Sequence, residues 1–160
     1  MKKPVCTKRE NMVFMKAFDK QFSAMFKEKM GIELFKKLND PDSFGRAMYT
    51  KIIKLPEMNQ KETMKMGLKG SLYMYIFVAT DINPNGITGP NDIARAYDIQ
   101  CSLQCMHRYT QRRWETGTIA HFAEYSRTPE KVLKQFNAFV NGKLKTCLES
   151  IQNKTYTWQR

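Results

Sequence analysis

The sequence predicts an all-α fold: a single-domain bundle of five or six helices, stapled by disulfides. Three observations carry that prediction. Apolar residues recur at intervals of three and four over most of the chain. Turn-forming residues divide those stretches into short-linked segments. No stretch of strand-like composition has an evident partner strand. The 160 residues fit one domain with one sizeable core, and the 42% hydrophobic and 12% aromatic content supplies the apolar surface that such a core needs.

From Asn11 to about Met30, Phe14, Phe18, Phe22, Met25, Phe26 and Met30 form an apolar stripe with Lys16, Lys20 and Lys27 between them, the pattern of an amphipathic helix that extends toward Leu38. Asn39 to Ser43 supplies turn and capping residues, and Phe44, Met48, Ile52 and Leu55 read as a second helix ending before Pro56. Met64, Leu68, Leu72, Tyr75, Ile76 and Ala79 suggest a third over residues 60–80, closed by Asn83-Pro84-Asn85-Gly86. Leu72 to Ala79 is then its buried centre. A fourth segment follows Gly89-Pro90-Asn91-Asp92, with Ile93, Tyr97, Cys101, Cys105 and Tyr109 at every fourth position. A short piece over 118–125 comes next. Thr128-Pro129 opens the clearest helix, whose inner stripe runs from Val132 to Ile151. Residues 1–10 and 153–160 read as polar arms of this one domain, 1–160.

The formal net charge is +12. Residues 1–70 hold sixteen basic and eight acidic groups, residues 71–125 four and five, and residues 126–160 seven and two, so the positive charge sits toward both ends. Such a field attracts an acidic partner at low salt. Most of the cations are lysines, point charges without the planar fork that reads a base edge, which disfavours sequence-specific nucleic-acid readout. No apolar run is long enough to span a bilayer, and Met1-Lys2-Lys3-Pro4 carries no leader. The chain is expected to be either intracellular or a mature form whose leader has been removed.

Cys101 and Cys105 lie four apart, on one side of the expected helix, where each looks outward to a separate partner. Disulfides to Cys6 and Cys147 would tie both termini to that helix. Four buried thiols are the plain alternative, and a zinc site from Cys101, Cys105, His107 and His121 the third.

Nothing in the sequence provides a nucleophile with its base, a pair of carboxylates in different settings, or a phosphate-cradling glycine loop. No catalysis, cofactor, metal or small-molecule substrate is expected. Arg108, Arg112 and Arg113 with Tyr109 and Trp114 have the composition of a single-strand nucleic-acid contact, although a helix would scatter them over different faces. The first helix, with Phe14, Phe18 and Phe22 beside Lys16, Lys20, Lys27, Lys29, Lys36 and Lys37, is a candidate membrane or partner surface if released from the bundle. Asn153-Lys154-Thr155 is a glycosylation acceptor.

The stretch Asn85-Gly86-Ile87-Thr88-Gly89-Pro90-Asn91-Asp92-Ile93-Ala94-Arg95-Ala96-Tyr97-Asp98-Ile99, together with Lys16-Ala17-Phe18, resembles the abalone sperm acrosomal protein family, the lysins and their fusogenic paralogues. The four cysteines and the long final helix bring it closer to the fusogenic branch. The resemblance implies a secreted, non-enzymatic protein of gamete recognition, held in the acrosomal vesicle and released at the sperm surface. It would bind and perturb or fuse egg membranes, its partner being an anionic membrane surface or an acidic egg-coat glycoprotein. A helical cytokine-like ligand and an intracellular nucleic-acid-binding protein are the rival expectations, and free thiols would point to the last.

Overall fold

The computed structural model describes residues 8–38, 46–80 and 97–159. Five antiparallel strands form a single sheet in meander order, β1 (Phe35–Leu38), β2 (Arg46–Lys54), β3 (Leu68–Thr80), β4 (Tyr97–Thr110) and β5 (Arg113–Ser126). Helices α1 (Lys8–Phe18) and α2 (Ala24–Met30) precede the sheet, α3 (Gln60–Met66) separates β2 from β3, and α4 (Pro129–Phe139) and α5 (Lys145–Gln152) follow it. The expected all-helical bundle is thus corrected to a mixed fold.

The correction has a simple cause. A step of four residues keeps a side chain on one face of an α-helix, but it also keeps it on one face of a strand, whose period is two. Leu72, Met74, Ile76 and Val78 are buried while Tyr73, Tyr75 and Phe77 are not, which is strand alternation. Tyr97, Ile99, Cys101, Leu103, Cys105 and His107 repeat the pattern on β4. Counted by fours, both stripes mimic helices. The partner strands are hidden in the sequence because each carries the same ambiguous spacing: Ile52 pairs with Tyr73, Tyr75 with Ser102, and Cys101 with Phe122.

Helices form at both ends where the periodicity predicts them, but the first stops at Met30: the expected extension toward Leu38 is corrected, because Gly31 turns the chain in a left-handed conformation and Phe35–Leu38 pairs with β2 as a strand. Along α1 and α2 the buried rings Phe14, Phe18, Phe22 and Phe26 are spaced by four, a spacing that drifts roughly 40° per step on an ideal helix. A π-helical turn at Asp19–Ser23 joins α1 to α2 and takes up that drift, and a second at Val140–Leu144 does the same between α4 and α5 for Val132, Phe136, Val140 and Leu144. Both helix pairs therefore keep one apolar face inward.

These faces meet around Phe136, whose ring lies 5.7 Å from Phe18, 4.7 Å from Phe22 and 5.3 Å from Phe122. Helix–helix and helix–sheet packing thus share one core. Fully burying such a ring is worth about 1.5–3 kcal/mol, so the cluster is a principal source of stability. The Tyr49 hydroxyl on β2 donates to the Asp19 carboxylate inside this region, and burial followed by that contact pushes the phenol pKa far up.

Helix α3 carries a complete capping box: the Asn59 side chain accepts from Glu62 N–H at 2.9 Å, and the Glu62 carboxylate accepts from Asn59 N–H at 3.2 Å. It stops at Gly67, whose φ of 63° suits glycine and turns the chain directly into β3. Residues 153–159, expected as a polar arm, pack back onto this corner. Trp158 N–H donates to Met66 O at 3.1 Å, and the Lys154 ammonium lies 3.3 Å from the Glu62 carboxylate.

The expected disulfide staple is also corrected. Cys101 and Cys105 alternate with Leu103 on the inner face of β4 and are free and buried, and Cys147 on α5 is free as well. Cys6 lies outside the described residues. The same is true of most of Asn85 to Ile99, the stretch carrying the family resemblance; its last three residues, Tyr97 to Ile99, are strand rather than helix.

Candidate functional site: the open face of the sheet

Both helix pairs pack on one face of the sheet. The alternation that turns Leu72, Met74, Ile76 and Val78 inward places Lys69, Ser71, Tyr73, Tyr75 and Phe77 on the opposite face, which no described helix covers. Register carries this face across the sheet. Met106 stands beside Lys69, Gln104 beside Tyr73, Ser102 beside Tyr75 and Gln100 beside Phe77, while Trp114 stands beside Arg108, Thr116 beside Met106 and His121 beside Ser102. Thr50 and Ile52 extend it on β2.

The surface is aromatic and polar. Tyr73 is 40% exposed, Tyr125 44% and Ile52 66%, and the Tyr73 and Tyr75 rings sit 6.2 Å apart. Soluble proteins seldom leave such a band uncovered without a partner for it. The Gln100 amide donates to the Asp98 carboxylate at 3.3 Å, and Asp98 is the one acidic side chain the register places on this face among the described residues.

Cations gather toward the β4–β5 hairpin. The Lys69 ammonium lies 5.4 Å from the centroid of the Trp114 ring. Arg108 donates to Thr110 O at 3.2 Å and Gln111 O at 3.0 Å, which fastens the hairpin tip. Arg113 sits 6.0 Å from the Tyr109 ring and forms a 2.8 Å ion pair with Glu115, while Arg112 is exposed. The cluster of Arg108, Arg112, Arg113, Tyr109 and Trp114 that a helix would have dispersed is therefore collected at one hairpin.

The other residues singled out by sequence go elsewhere. Lys16, Lys20, Lys27 and Lys29 are exposed along α1, α2 and the π-helical turn between them, and Lys36 and Lys37 belong to β1. Phe14, Phe18 and Phe22 are core, not surface: they are at most 1% exposed. Asn153 is exposed just beyond α5. A zinc site is ruled out by register, because Cys101, Cys105 and His107 face the helices whereas His121 lies on the open face; no metal-binding cluster occurs among the described residues.

Burial also quiets the thiols. It pushes Cys101 up to about 12 and Cys105 to about 11 despite a hydrogen bond from Lys69 N–H that lowers the latter. Cys147 is raised by burial against the opposing charge of Lys143. Thiols held protonated in this way are poor nucleophiles.

No protein-family model, curated protein or solved structure matches the chain. The class that the fold itself defines is a two-layer α/β protein, with helices on one side of the sheet and, on the other, an aromatic face that no described helix covers.

Proposed function

We propose that this chain is a non-catalytic binding protein that takes single-stranded nucleic acid across the open face of its sheet. The observation that carries the reading is the row Tyr73, Tyr75 and Phe77 along β3, with the Lys69–Trp114 pair at its end and Asp98 as the single acidic neighbour among the described residues. Aromatic faces stack on any base, and adjacent cations neutralise the phosphates, so such a surface binds without reading sequence. Gln100, Gln104 and Thr118 supply hydrogen-bonding groups between the rings. The lysine-rich composition fits this mode, which needs charge but not the arginine fork. Free Cys101, Cys105 and Cys147 agree with it too.

The test is titration of oligo(dT) at low and high salt, followed by tryptophan fluorescence. Tyr73→Ala should weaken binding by roughly 5- to 150-fold, since one base stack is worth about 1–3 kcal/mol. Lys69→Ala should lower the salt slope by about one. No binding at low salt, or binding indifferent to Tyr73→Ala, would sink the reading.

The second reading is the secreted gamete protein that binds and perturbs or fuses egg membranes, or binds an acidic egg-coat glycoprotein. Exposed Lys16, Lys20, Lys27 and Lys29 on the outer helical layer favour it, because they offer attraction to anionic head groups. Insertion of Phe14, Phe18 and Phe22 would require that helix to leave the core. Leakage of phosphatidylglycerol vesicles at low salt would support it, and intact vesicles would remove it.

A further inference from the structure

We infer that the protein has a second site, a cleft between the sheet edge and the helical layer that takes a long-chain carboxylate. The cleft holds about 530 Å³, within the roughly 300–1,000 Å³ of small-ligand sites. It opens because β1 pairs with β2 only as far as Thr50, so no described strand covers the edge of β2 at residues 51–54. On the other side, α2 ends at Gly31, and the chain turns away with a φ of 65°.

The lining has two chemistries. Ile32, Ile53, Leu72 and Ile151 give it an apolar floor that is continuous with the core. Lys29, Lys51, Lys54 and Lys145 stand around it, opposed by Glu149 alone, which lies 3.9 Å from the Lys145 ammonium. Lys51 is the most telling of these. Its odd position puts it on the inner face of β2, in line with Tyr49 and Ile53, where a lysine has no role in core packing.

An apolar floor under a cationic rim matches an amphipathic anion: the hydrocarbon displaces water from the floor and the carboxylate meets the lysines. A purely hydrophilic anion such as inorganic phosphate would leave the floor wet. A neutral lipid would leave the lysines without a counter-charge.

The cleft adjoins the open face at Ile52 and Lys54, but Lys29 and Lys51 do not belong to that face, so variants at these two separate the site from the proposed function. The experiment is isothermal titration calorimetry of the full chain with oleate below its micelle concentration, with oleyl alcohol and inorganic phosphate in parallel. Oleate should bind with one-to-one stoichiometry, and oleyl alcohol should bind about tenfold more weakly or worse. The double variant Lys29→Glu/Lys51→Glu should lose at least about tenfold in oleate affinity while keeping its oligonucleotide affinity. Leu148→Trp, which fills the cleft without changing charge, should lose oleate binding as well. The inference is overturned if oleate does not bind, if oleyl alcohol binds as tightly, or if both variants bind oleate like the parent. It is equally overturned if phosphatidylglycerol vesicles are bound and monomeric oleate is not.

Discussion

The Trp158 indole stacks on the His107 imidazole with their ring centroids 4.0 Å apart and an interplanar angle of 24°. That contact clamps the last described residues of the chain onto the hairpin end of β4. Gly117, the cross-strand neighbour of Cys105, makes room for it: a Cβ there would collide with the His107 ring and come within 2.9 Å of the Trp158 indole.

Two substitutions probe the clamp. Trp158→Ala should cost about 2 kcal/mol, below the range for a fully buried indole because this one is only partly covered. Gly117→Ala should destabilise by about 1–3 kcal/mol through overpacking. Urea unfolding checks both, and parent-like midpoints would mean that the tail does not rest there.

Phe136→Ala should cost about 3–5 kcal/mol, since this ring is fully buried where α1, α4 and β5 meet. Tyr73→Ala, on the open face, should change stability by no more than about 0.5 kcal/mol. The contrast between the two midpoints tests which face of the sheet is core.

Alkali should destabilise the protein over a defined window. Cys101 is raised to about 12 and Cys105 to about 11 by burial, and Tyr156 to about 12 by burial followed by its proximity to Cys147 and Cys105. In the unfolded chain these groups ionise near pH 9.0 for the thiols and 10.0 for the phenol. The unfolded state then holds fewer protons than the native one, so their contribution is complete below about pH 9 and is lost as pH rises toward 12. Melting temperatures across that range check it; serine at Cys101 and Cys105 should flatten the curve.

At the acid end, Glu62 is held below the usual carboxylate range by the Asn59 N–H and then by the Lys154 ammonium. Its contribution is present above the unfolded pKa and fades as pH falls through the lowered folded value. Asn59→Ala removes the cap itself and should cost about 1 kcal/mol at neutral pH. Thermal melts of the parent and of Glu62→Gln from neutral to acid pH should converge.

The thiols give a direct readout of the fold. Cys101, Cys105 and Cys147 should all react with a thiol reagent in denaturant without prior reduction, and Cys101 and Cys105 only slowly in the native state. Disulfide-linked peptides containing any of the three would contradict the structure.

What the sequence determined by itself is local or global. The charge of +12 is a sum, and the terminal helices follow from apolar spacing kept over many turns, with Thr128-Pro129 marking the start of the last pair. What only the tertiary structure decided depends on residues distant in the chain. Leu72 to Val78 and Tyr97 to Cys105 become strands because β2, β3, β4 and β5 satisfy one another's backbone groups, a pairing that no local pattern specifies when a step of four serves both periods. The same pairing turned Cys101 and Cys105 into core thiols and brought Tyr73, Lys69 and Trp114 onto one face, because strand register, not sequence proximity, sets which side chains are neighbours.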